Sequence, residues 1–189
     1  MAAGGFDEVL GFWFGPERGR SRREWFAKDP GFDASIRERF GALHARAAAR
    51  GLEAWRASPE PMLALVIVLD QFSRHLYRGD GRAFAQDAHA RECVAEALVR
   101  GDDLALLPVE RQFLYLPLEH SEDAADQDRA VELMRSLEAF EETRGLAEWA
   151  VKHREVIARF GRFPHRNEAL GRPSTPDELD FLARPGSGF

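Results

Sequence analysis

Ser58-Pro59-Glu60-Pro61-Met62-Leu63-Ala64-Leu65-Val66-Ile67-Val68-Leu69-Asp70-Gln71-Phe72-Ser73-Arg74-His75-Leu76-Tyr77 is the stretch whose reading decides the fold. Ser58 suits an N-cap, Pro59 the first helical position, and Glu60 the positive end of a helix dipole. A helix is therefore predicted from about Pro59 to Tyr77. Met62 to Leu69 is apolar at every position, leaving no polar stripe, and a helix of that kind is enclosed by protein. It should be the axis around which the other elements pack.

The neighbours on either side read as helices too. Asp7 starts a short aromatic helix through Phe12, Trp13 and Phe14 that stops at Gly15-Pro16, and Trp25 and Phe26 add two more rings. Asp33 is the expected cap of a helix with Ile36, Phe40 and Leu43 at helical spacing, ending near Gly51. Gly79 and Gly81 break the chain before a helix from about Arg82 to Val99. Pro108 opens another, from Val109 to about Leu118, which Pro117 should bend or end. Further amphipathic segments run from about Ala124 to Glu142, with Val131, Met134, Leu137 and Phe140 on one stripe, and from Leu146 to Phe160, with Leu146, Trp149, His153, Val156, Ile157 and Phe160 on another. Thr175 and its neighbours cap a last short helix ending near Leu182. No period-two pattern appears. The expectation is one all-α domain over 1–189, about eight helices in antiparallel pairs, with 185–189 frayed.

Composition narrows the function. Of 189 residues, 44% are hydrophobic and 31% charged, an ordinary globular balance. Twenty-six Lys+Arg against 32 Asp+Glu give a net charge of −6, and the basic residues are scattered, so nucleic acid is not an expected partner. No apolar run approaches the roughly 20 residues that span a bilayer. Met1 to Gly5 shows neither the basic nor the apolar region of a signal peptide, and the single Cys93 suits a reducing compartment, so a cytoplasmic protein is expected, with no membrane partner. Cys93 lies inside a helix and reads as an inert core thiol.

Three polar clusters interrupt this pattern. Asp70 follows the apolar run and must have a partner, because a buried lone carboxylate is very costly. Arg74, one helical turn on, is the nearest candidate, with Gln71 and His75 on an adjacent face. Arg78 and Arg82 flank Gly79-Asp80-Gly81, where a helix N-terminus attracts anions, unless Asp80 merely caps the turn. The second cluster is Glu119-His120-Ser121-Glu122-Asp123: His120 and Glu122 are acid–base candidates, while Ser121 followed by two acids also reads as a cap and first turn. The third is His153 on an apolar stripe, then Arg162, His165, Arg166 and Asn167 in one donor-rich loop. Nucleophile-elbow, zincin, Cys-x-x-Cys and phosphate-loop signatures are absent, so neither a cofactor nor a metal is expected.

These segments carry a resemblance. Val9-Leu10-Gly11-Phe12-Trp13-Phe14-Gly15, Leu69-Asp70-Gln71-Phe72, Arg78-Gly79, Arg82-Ala83-Phe84-Ala85, Pro117-Leu118-Glu119-His120-Ser121-Glu122 and Arg159 to Asn167 resemble, in order, the bacterial family known as domain of unknown function 924. The resemblance implies a helical stack of the tetratricopeptide-repeat type and no established activity. Ser73-Arg74-His75 departs from the family's Pro-Arg-Asn, which argues against a special role for His75 and in favour of Asp70, Gln71 and Arg74.

Three functional readings follow. The leading one is a binding module whose groove presents Asp70, Gln71, Arg74, Arg78, Arg82, Arg162, His165, Arg166 and Asn167 to an anionic peptide, protein segment or small metabolite. The second is a small-molecule enzyme of the acid–base or metal-assisted hydrolase type, using His120 or His165 with Glu122 or Asp70. The third is a structural polar network with a role in protein interaction. The oligomeric state is left open.

Overall fold

The apolar run forms the predicted buried helix, and it is the centre of the molecule. Every side chain from Met62 to Leu69 is 0% exposed in the structure, a computed structural model that describes residues 5–25 and 27–186. The expectations for Met1 to Gly4, for the Phe26 ring and for 187–189 lie outside the described residues; Pro185 and Gly186 sit in an exposed turn.

Nine α-helical segments occur among the described residues, and no strand. They are α1 (Phe6–Phe14), α2 (Pro30–Ala48), α3 (Pro59–Ile67), α4 (Ser73–Leu76), α5 (Asp87–Arg100), α6 (Pro108–Glu119), α7 (Ala124–Ser136), α8 (Leu146–Phe160) and α9 (Pro176–Leu182). A π-helical turn, Val68–Phe72, joins α3 to α4 without a break, so these two form one rod and the described residues make eight helical bodies. The central rod packs against α1, α2, α5 and α6; α6 in turn contacts α7, and α7 packs along α8.

Aromatic residues lock α1 onto this rod. Trp13, Phe14, Phe72 and Phe113 are fully buried, and Phe113 meets Trp13, Phe14 and Trp25 edge-on at 5.4, 5.6 and 4.6 Å between centroids. The free carbonyls at the end of α1 are not left bare. Trp25 Nε1 donates to Trp13 O at 2.8 Å, and Arg22 donates to Phe12 O and Trp13 O.

Several boundaries differ from the sequence reading. The cap of α2 is Asp29, whose carboxylate accepts from Gly31 N and Phe32 N, not Asp33, which is committed elsewhere. Asp29→Ala should cost about 1 kcal/mol in chemical unfolding, the usual cost of a lost cap. An unchanged midpoint would mean the cap contributes nothing. Asp123, not Ser121, caps α7 through Ala125 N and Asp126 N. The helix expected from Arg82 begins only at Asp87, after a 3₁₀ turn at Gly81–Phe84 capped by Asp80.

α7 also stops at Ser136 rather than Glu142. Glu138 supplies the reason: its carboxylate accepts from Gly145 N and Ala147 N, capping α8, while Thr143 Oγ1 donates to Leu137 O. The chain must turn for both contacts to form. Phe140 therefore leaves the predicted stripe and is 40% exposed; Trp149, on α8, is 53% exposed.

Candidate functional site

Asp70 needed a partner, and it has three. It sits in the π turn, where the extra residue of an i→i+5 turn redirects the side chains that follow the apolar run. Its carboxylate is 0% exposed and accepts from Gln71 Nε2 at 2.6 Å, Arg74 Nη1 at 3.0 Å and His120 Nδ1 at 2.9 Å. Arg74 and His120 hold it ionised well below the usual carboxylate range, against the opposing effect of burial.

Arg74 bridges outward from this centre. Its two Nη atoms contact the Asp87 carboxylate at 3.1 and 3.2 Å, and Nη1 also donates to Asp70 O. Asp87, the first residue of α5, then meets Arg166 Nη1 at a longer 3.5 Å. Arg166 is 6% exposed, and its guanidinium lies over the rings of Phe84 at 4.6 Å and Phe163 at 4.5 Å. Its buried Nε has no hydrogen-bond partner among the described residues. Burial, helped by the neighbouring Arg74 charge, lowers Arg166 to about 10.

The histidines close the cluster. His120, the residue after α6, has a side chain 16% exposed, and its ring lies 6.3 Å from that of His153. His153 donates from Nδ1 to Trp149 O at 2.9 Å and lies 3.1 Å from Glu119 Oε1. Burial lowers His153 to about 3 and raises Glu119 to about 8, with the Asp70 charge adding to the latter. Both shifts favour the uncharged forms. His165 is half-buried beside Phe163 and is lowered to about 4 by burial and by Arg166 and His120. His120 is lowered by burial, which outweighs its hydrogen bond to Asp70.

The 163–172 segment is fastened by Glu122. That carboxylate accepts from Phe163 N at 2.8 Å and from both Nη atoms of Arg172 at 2.7 and 2.9 Å, and these donors hold it below its ordinary pKa despite burial. Arg172 Nε donates to Asn167 Oδ1, and Asn167 Nδ2 to Ser174 Oγ. Gly81 lets this segment approach, since a Cβ there would stand 2.9 Å from Ala169 O.

The expected residues thus divide. Asp70, Gln71, Arg74, His120, His165 and Arg166 come together. Arg78 pairs with Asp33 at 3.0 Å, and His75 Nδ1 meets the same carboxylate at 2.6 Å, on the α2 side of the rod. Arg82 pairs with Asp80 at 2.9 Å and lies over Tyr77. Arg162 is held by Glu178 at 2.6 and 2.8 Å, on the rim of a shallow depression with Phe160 and Thr175. Glu122 and Asn167 serve the clamp. Asp87, Arg172 and the Glu119–His153 pair were not anticipated. Asp87 lies 13 residues from Arg74, beyond any helical spacing, and Arg172 lies in a loop without periodicity; only the need of Arg74 and Glu122 for partners pointed to them.

The fold and this cluster define a class: an all-helical protein built on a buried apolar rod, with arginines, histidines and carboxylates gathered where the rod emerges. The chain belongs to the family described as bacterial protein of unknown function (DUF924), whose model matches residues 9–186. It is similar to the solved structure of the protein of unknown function ATU0120 from Agrobacterium tumefaciens, at 40% identity and a TM-score of 0.82, covering 94% of this chain and 96% of that one. No curated protein matches it. No helix is long and apolar enough to cross a membrane.

Proposed function

We propose that the chain is a binding module for a small anionic molecule, taken up where Arg166, Arg74, His120 and His165 converge. The observation that carries this reading is the state of Arg166. A guanidinium has five N–H donors, and burying it without acceptors is costly. Among the described residues Arg166 has one acceptor, at 3.5 Å, on an Asp87 carboxylate that Arg74 already engages through both Nη atoms, and its Nε has none. A carboxylate or phosphate supplies what is missing. The helix pairs implied by the resemblance belong to the same proposal, as a scaffold that holds α4, α6 and the 163–172 segment around one place. A second reading, acid–base enzyme, has the Asp70–His120 hydrogen bond in its favour.

Thermal unfolding with phosphate, sulfate and small dicarboxylates tests the proposal. At about ten times the dissociation constant a ligand adds about 1.4 kcal/mol, a rise of a few degrees. Arg166→Met should abolish the rise. Arg78→Ala and Arg162→Ala should keep it, because those arginines serve Asp33 and Glu178. No rise with any of these anions would leave the cluster as a structural network.

A further inference from the structure

We infer that the ligand carries a hydroxyl beside its anionic group, as in a hydroxy acid or a phosphorylated polyol, and that His120 Nε2 accepts its hydrogen bond. This rests on the anion-binding reading above. The argument starts at Asp70, an ionised carboxylate and therefore only an acceptor. Its 2.9 Å contact with His120 Nδ1 makes that nitrogen the donor and fixes the tautomer. Nε2 is left with a lone pair.

That lone pair has no hydrogen-bond partner among the described residues, and the side chain reaches solvent. The charges of Arg74 and Arg166 act on the ring. The site therefore offers an N–H donor, Arg166 Nε, and a bare acceptor, His120 Nε2, on two side chains near enough for the Arg166 charge to act on the imidazole. A simple oxyanion satisfies the first and sets its own lone pairs against the second. A molecule with an oxyanion and a neighbouring O–H satisfies both.

The groups that bear on His120 support this at neutral and alkaline pH. Asp70 comes from the π turn, Arg74 from α4, His153 from α8, and His165 and Arg166 from the turn after α8. The two arginines and burial keep the imidazole neutral, below its ordinary pKa, while Asp70 opposes them.

The test compares matched pairs by calorimetry at about pH 8: malate against succinate, and glycerol phosphate against propyl phosphate. In at least one pair the hydroxylated member should bind about tenfold tighter, the worth of a hydrogen bond to a group otherwise left unpaired. His120→Asn retains a donor for Asp70 and should bring that ratio close to one. Arg166→Met should weaken both members together. Equal binding of both members of both pairs at pH 8 overturns the hydroxyl inference and leaves the anion site standing. Binding of none of the four overturns both.

Discussion

Asp70→Ala is expected to lower the unfolding free energy by about 3–5 kcal/mol, the range for removing one partner of a buried ion pair. Asp70 is fully buried, and its loss strips the acceptor from Gln71 Nε2, Arg74 Nη1 and His120 Nδ1 together. Arg74 retains Asp87, so its charge is not wholly abandoned, but His120 has no second carboxylate. Asp70→Asn keeps the shape and one acceptor oxygen and should cost less. Urea unfolding of the variants checks both, and a loss below about 1 kcal/mol in the alanine variant would show that water replaces the carboxylate. The sign with pH follows from the depressed pKa. Asp70 contributes stability above the unfolded carboxylate value of about 3.9 and loses it only on further acidification.

The order of these residues explains what could be read from the sequence. The central rod was legible because eight apolar residues in a row admit no exposed face, and Asp70 stood out because it ends that run. Arg74 followed from helical spacing. The π turn was not legible, because its residues have the same types as an α-helix; the turn itself packs against α2 and α5. Asp33 was misread as a cap because Asp29, four residues earlier, suits that role equally, and only tertiary structure shows Asp33 committed to His75 and Arg78. Glu122 and Asp123 were read as one capping turn, yet Asp123 caps while Glu122 reaches across to Arg172, 50 residues on. Local spacing finds partners one turn away and is silent about those that meet through the fold.

Glu119 gives the second large effect, through pH. Its folded pKa is raised to about 8 from 4.5, so the folded state binds this proton more tightly and stability falls as pH rises between those values. His153 works in the opposite sense. Lowered to about 3 from 6.5, it makes stability rise with pH until the unfolded histidine has lost its proton. Between pH 4.5 and 6.5 the two slopes cancel, and His165, lowered to about 4 from 6.5, leaves a net rise. Above 6.5 the histidine contributions fade, those of His44, His75, His89 and His120 included, since burial lowers each of them in the folded protein, while the Glu119 contribution continues to fall. Against a variant that lacks this group, the wild-type protein should therefore lose stability from pH 6.5 to 8, by up to about 2 kcal/mol at about 1.4 kcal/mol per unit. Glu119→Gln preserves the shape beside His153 and removes the titration, so it supplies that comparison. Urea unfolding of both proteins across this interval decides the point: a difference between them that stays constant with pH would mean that Glu119 is ionised in the folded protein and paired with a charged His153.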